Sequence, residues 1–126
     1  MLRTPDPASP APGADPVCSV HEIGTCTQLT AGGELDIAAE QVLRDAAARA
    51  RLAPGHVVLL DLCAASFVDS SVVHFALELD RRATAHGSDF VVVVNERTKA
   101  LFGLLGTEGL RVVEDERRNG AGPAAG

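Results

Sequence analysis

Two short runs of aliphatic residues constrain this chain more than anything else in it. Val57-Val58-Leu59-Leu60-Asp61-Leu62 and Phe90-Val91-Val92-Val93-Val94 are nearly continuous in β-branched and γ-branched residues. A strand with one wet face alternates apolar and polar residues. A strand covered on both faces, as in a parallel sheet, has no need to. Both runs are too short to be buried helices of ordinary length, and turn-formers bound them: Pro54-Gly55 before the first and Gly87 before the second. Parallel strands need crossover connections of a dozen residues or more, and the segments between the runs supply them.

The first such segment follows Asp36, a helix N-cap residue, and is expected to be helical from about Ile37 to Leu52. Ala39, Val42, Leu43, Ala46, Ala47 and Ala50 recur on one side at helical spacing. A second helix is expected from about Ser70 to His86, with Val72, Phe75, Ala76 and Leu79 as its core stripe, and a third from about Glu96 to Leu105, capped by Asn95. Val17 to Glu22 and Thr25 to Leu29 read as two short strands around Gly24, Gly32-Gly33 as a bulge or turn, and Leu110 to Val113 as a last strand. The order β-β-α-β-α-β-α-β gives an α/β domain with a mostly parallel sheet and an antiparallel strand at its edge. Five of the seven prolines lie in residues 1–16, which are expected to be a flexible tail, as are residues 116–126; the folded unit is then 17–115.

Composition narrows the function. The chain of 126 residues is one domain long and carries 17 acidic against 11 basic residues, a formal charge of −6. Its basic residues are interleaved with acids and alanines, so no stripe is available for nucleic acid. With no Trp, no Tyr and four Phe, it also lacks stacking platforms for bases or sugars. No apolar run approaches the ~18 residues that span a bilayer, and the Pro/Ala-rich start has no signal-peptide core; a cytoplasmic protein without a membrane partner is expected. Cys18, Cys26 and Cys63 form no Cys-x-x-Cys and read as small buried apolar residues rather than a metal site, although Cys18 and Cys26 have a spacing that lets them face each other across a hairpin. No cofactor fingerprint is present.

The segment richest in chemistry is Ser66-Phe67-Val68-Asp69-Ser70-Ser71-Val72-Val73, at the junction of a strand connection and a helix start. Sites in open α/β sheets gather at such carboxyl ends, and Asp69 or Ser70 also suits a plain N-cap. A Ser71–His74–Asp69 catalytic grouping is disfavoured, since no Gly-x-Ser-x-Gly elbow or oxyanion hole accompanies it. A phospho-accepting role for Asp61 lacks its Mg²⁺ cluster and partner lysine, Lys99 lying in a helix; Asp61 reads better as a residue that orders its loop.

From about Val17 to Asp115 the chain resembles a STAS domain, the fold of bacterial anti-sigma-factor antagonists. Gly33-Glu34-Leu35-Asp36 is similar to the family's lead-in to its first helix. Val58 to Leu62 followed by Phe67-Val68-Asp69-Ser70-Ser71 is similar to its strand, loop and Asp-Ser-Ser phosphorylation site. Val93-Val94-Asn95, Leu101 to Leu105 and Gly109-Leu110 are similar to its late strand and helix. The resemblance implies a β/α superhelix that binds an anti-sigma factor with serine kinase activity and so frees a sigma factor. It also implies inactivation by phosphorylation at Ser71 (or Ser70) and resetting by a serine phosphatase. Asp36, Asp69, Ser70, Val72 and His74 would form the partner surface. The alternative within the same fold is a STAS binding module in a larger sensory or regulatory assembly, without phosphoregulation. In either case no enzymatic activity of its own is implied. The chain departs from the family in having Val72 where glycine is usual, which is expected to add bulk beside the acceptor hydroxyl.

Overall fold

A computed structural model describes residues 15–105, 107 and 109–115. The expected tails 1–16 and 116–126 therefore fall outside the described residues, save Asp15 and Pro16. The elements are β1 (Val17–Ile23), β2 (Cys26–Leu35), a 3-10 turn (Ile37–Ala39), α1 (Glu40–Ala47), β3 (Val57–Asp61), β4 (Ala65–Val68), α2 (Ser70–Ala85), β5 (Asp89–Val94), α3 (Glu96–Leu104) and β6 (Val112–Glu114). Strands lie in the order β1-β2-β3-β5-β6, with β4 paired to β2 off this path. Only the β1–β2 hairpin is antiparallel; β2–β3, β2–β4, β3–β5 and β5–β6 are all parallel. The expected single α/β domain, mostly parallel with an antiparallel edge, is what forms.

The crossovers from β2 to β3, β3 to β5 and β5 to β6 each step one place in the same direction across the sheet. Parallel crossovers are right-handed, so successive steps in one direction put α1, α2 and α3 on the same face. Burial agrees: Thr27, Leu29, Ala31 and Leu35 of β2, Val58 and Leu60 of β3, and Phe90, Val92 and Val94 of β5 are buried, while the residues between them on β2 and β5 are mostly half-exposed. The aliphatic runs thus have one fully covered face, not two. Leu43, Ala46 and Ala47 of α1, Val72, Val73, Phe75, Ala76, Leu79 and Ala83 of α2, and Phe102 of α3 complete the core.

Two boundaries differ from the sequence reading. The helix expected through Leu52 stops at Ala47, because Arg49 N–H and Ala50 N–H reach back only three residues, to Ala46 and Ala47, and the Thr27 hydroxyl accepts the Arg51 N–H at 3.3 Å. Strand β2 runs to Leu35 rather than Leu29 and keeps its alternation through Gly32-Gly33, so these glycines are neither a bulge of β2 nor its terminus; the bulge lies opposite, in β4, where Ser66 is the extra residue between Ala65 and Phe67. The ladder shifts register between Gly33 and Glu34, Gly33 has φ of +89°, and a Cβ on Gly32 would meet the Ala64 Cβ at 3.2 Å. Both glycines are needed there, one for its backbone angle and one for its lack of bulk. Along its length β2 pairs with β3 over Cys26–Thr30 and with β4 over Gly33–Leu35. Cys18 lies opposite Ala31 and Cys26 opposite Ile23, so the two cysteines do not face each other, and none of the three cysteines forms a disulfide.

Candidate functional site

Four short side chains organise the carboxyl edge of the sheet, one at the end of each inner strand. Asp36 follows β2, Asp61 ends β3, Asp69 follows β4 and Asn95 follows β5. Each accepts a backbone N–H two or three residues onward: Ala38 at 3.0 Å, Cys63 at 3.0 Å, Ser71 at 2.9 Å and Thr98 at 2.9 Å. Asp36, Asp69 and Asn95 are extended and turn the chain into a helix, which is the N-cap pattern that short polar residues favour. Asp61 orders the β3–β4 turn, as its position in the sequence suggests.

The pairing of β2 with the bulged strand β4 brings two of these caps side by side. Leu35 pairs with Val68, and the Asp69 N–H donates to the Leu35 carbonyl at 3.1 Å. Asp36 and Asp69 therefore leave neighbouring parallel strands at the same level. Ser71, in the first turn of α2, is half-exposed, and its hydroxyl donates to Asp69 Oδ1 at 2.6 Å. Ser70 is exposed beside it, and His74 is exposed one turn along α2. The structure brings Asp36, Asp69, Ser70 and Ser71 to one edge and leaves His74 on the adjoining helix surface. No hydrogen bond joins His74 to Ser71 among the described residues; the Ser71 hydroxyl turns to Asp69 instead.

Val72 is the exception. It is 1 % exposed and belongs to the core, so its side chain cannot be part of a partner surface, and it does not crowd the Ser71 hydroxyl from outside. The physical reason is helical geometry: residues one apart project about 100° apart, and the core stripe of α2 begins at Val72 and continues through Val73, Phe75 and Ala76.

Two apolar residues that the sequence reading did not assign to the site stand next to its aspartates. Ile37, directly after Asp36, is 70 % exposed, and Phe67, two before Asp69, is 52 % exposed. Phe67 was hidden by the irregularity of β4, where Ser66 and Phe67 are both outside and only Ala65 and Val68 are buried. An isoleucine immediately after an N-cap, off the Val42/Leu43/Ala46/Ala47 stripe, was the available signal for Ile37. The far side of β4 is closed by α3: Asn95 Nδ2 donates to the carbonyls of Cys63 at 3.2 Å and Ala65 at 3.3 Å, and Arg97 donates to that of Ser66 at 3.4 Å.

The arrangement is a surface edge with two carboxylates, two hydroxyls and two exposed apolar side chains. Among the described residues there is no cluster of His, Cys, Asp and Glu suited to a metal ion, and no helix is long and apolar enough to cross a membrane. Such an edge suits protein docking.

A family model described as "Mlab, STAS domain" matches residues 18–114. Among solved structures, the chain is similar to an anti-sigma factor antagonist from Mycobacterium paratuberculosis, with a TM-score of 0.66 and 18 % identity over 83 % of this chain and 90 % of that one. At that identity the likeness is one of fold. No curated protein matches the sequence. With the family model spanning the whole described sheet and its three helices, the chain belongs to the STAS domain family.

Proposed function

We propose that this STAS domain is an anti-sigma factor antagonist whose docking surface is the edge formed by Asp36, Ile37, Phe67, Asp69, Ser70 and His74, and that phosphorylation of Ser71 turns it off. The fold's likeness to an anti-sigma factor antagonist supports the general role. The observation that carries the switch is the half-exposed Ser71 hydroxyl, at the mouth of a helix and bonded to Asp69 at 2.6 Å.

That bond gives phosphorylation a local consequence. Transfer of a phosphoryl group from ATP forms an Oγ–P bond and releases ADP and the hydroxyl proton, so Ser71 can no longer donate to Asp69. The new group brings about −1.5 to −2 charges and must turn away from the Asp69 carboxylate towards solvent, where a partner docks. The helix itself tolerates the anion, since its first-turn N–H groups and dipole favour negative charge. A partner instead meets a bulky dianion beside Asp36 and Asp69, and loses about 2–5 kcal/mol through desolvation and repulsion. Phe67 and Ile37 supply the apolar part of the interface, which phosphorylation leaves unchanged but inaccessible to the same docking pose. The partner in this reading is an anti-sigma factor that is also a serine kinase, with a separate serine phosphatase to reverse the step, all in the cytoplasm.

Affinity capture with the wild type, Ser71→Ala and Ser71→Asp tests the proposal. The first two should retain the same kinase-type partner, and the aspartate form should retain at least tenfold less. Incubation of that partner with ATP should add one phosphate by intact mass, lost in Ser71→Ala. Equal capture by all three proteins with no mass change would remove the switch and leave the second reading, a STAS binding module of a larger assembly without phosphoregulation.

A further inference from the structure

We propose that the outer edge of β1 is a dimerisation edge, on which β1 of a second copy of this chain pairs antiparallel about a two-fold axis at Val20. Strand β1 pairs with β2 on one side, and among the described residues no strand lies on the other. Its seven residues, Val-Cys-Ser-Val-His-Glu-Ile, include no lysine, no proline and no bulge, and the one carboxylate that guards the edge against indiscriminate pairing is Glu22.

The register follows from three constraints. The hairpin loop has two residues, Gly24 and Thr25, closed by the Ile23–Cys26 pair, with Gly24 at φ +61° as a two-residue turn requires. Such a closing pair exchanges both hydrogen bonds, and the pattern alternates along the ladder. Val17, Ser19, His21 and Ile23 thus direct their peptide groups to β2, and Cys18, Val20 and Glu22 direct theirs outward. Next, residues opposite each other in a sheet share a face, so a self-pair must be centred on a residue. Centring on Val20 alone uses the whole strand. It joins Val20 to its own copy and Cys18 to Glu22 twice over, about six ladder hydrogen bonds at two per pair. Last, it sets the two exposed apolar ends together, Val17 at 62 % exposure against Ile23 at 63 %, on the face that no helix covers.

Charge selects the same arrangement. The chain is acidic overall, yet the one carboxylate on β1, Glu22, is placed opposite Cys18 of the other copy. Cys18 faces the helices, where the Arg49 guanidinium acts on its thiol. Each Glu22 therefore arrives beside an Arg49 of the other copy, and the symmetry makes two such contacts. Glu22 and Arg49 are both exposed and take part in none of the ion pairs among the described residues. An edge about 24 Å long at ~3.4 Å per residue covers less than the roughly 1,600 Å² of a standard interface, which is the size class of transient contacts. The axis stands perpendicular to the sheet, so the two Ser71 edges point in opposite directions and both stay open. The inference does not depend on the Ser71 switch.

Sedimentation velocity of the full chain, from about ten micromolar to one millimolar, should show a concentration-dependent shift from monomer to dimer. Glu22→Arg and Arg49→Glu should each weaken the dimer at least tenfold, and the double variant should restore it. In parallel, amide exchange in the peptide 17–23 should slow as concentration rises. A protein that stays monomeric throughout overturns the proposal. So does a dimer that both single variants leave untouched, since its interface would then lie elsewhere.

Discussion

Replacing Val72 by glycine, the residue usual at this place in the family, distinguishes a side chain that guards the Ser71 hydroxyl from one that holds α2 to the core. The side chain is 1 % exposed and lies in the first turn, where Val72 N–H donates to the Asp69 carbonyl at 3.1 Å. Deleting three buried carbons at ~0.8 kcal/mol each costs about 2.4 kcal/mol. The lower helix propensity of glycine relative to valine adds about 0.4 kcal/mol. The sum, about 3 kcal/mol, is a large part of the ~5–15 kcal/mol that holds a small domain folded, and corresponds to a fall in Tm of roughly 12–24 °C. The absence of Trp and Tyr rules out intrinsic fluorescence as a sensitive probe, so unfolding in urea is best followed by far-UV circular dichroism, with Val72→Ala as an intermediate at about 1 kcal/mol, two carbons lost less the better helix propensity of alanine. If Val72→Gly unfolds within about 0.5 kcal/mol of the wild type, the side chain is not a core residue, and the view that it plays no part at the acceptor hydroxyl loses its basis.

Asn95→Ala should destabilise by about 2–3 kcal/mol, since it removes the cap on Thr98 N–H and leaves the carbonyls of Cys63 and Ala65 without their donor; Asn95→Asp should restore the cap yet not the stability, because its carboxylate faces those two carbonyls. Chemical denaturation of both variants checks this. Burial pushes the Cys18 thiol above the ordinary thiol range, and Arg49 offsets part of that. In the window upward from about pH 9 the folded protein then binds more protons than the unfolded chain, so this thiol's contribution is intact below that pH and is lost as pH rises. Urea midpoints between about pH 7.5 and 10.5 should therefore decline more steeply for the wild type than for Cys18→Ala, and parallel profiles would contradict the assignment.

Reading the sequence located the strands where composition is extreme. Val57 to Leu62 and Phe90 to Val94 have no other stable use than inner strands, and Asp36, Asp69 and Asn95 mark helix starts because a short acceptor is what a free first turn needs. Strand β4 was not legible. Its four residues do not alternate, since Ser66 is an extra residue opposite the Gly33–Glu34 step of β2, and a pattern of period two cannot survive that. The end of α1 was missed for a related reason: Ala50 and Leu52 continue the apolar spacing and are partly buried, yet the backbone has already left the helix to meet Thr27.

The candidate site divides in the same way. Asp69, Ser70 and Ser71 were visible as a cluster because they are consecutive. The sequence by itself determined the α/β class, the parallel sheet and the side chains available at its carboxyl edge, since local patterning and capping chemistry depend on neighbours along the chain. Only the tertiary structure decided that Asp36 stands beside Asp69 and that Ile37 and Phe67 flank them at the surface; that Val72 turns inward was already in the helical spacing of its core stripe. Those surface placements depend on the pairing of β2 with the bulged strand β4 and on the handedness of three crossovers, which set how distant segments meet.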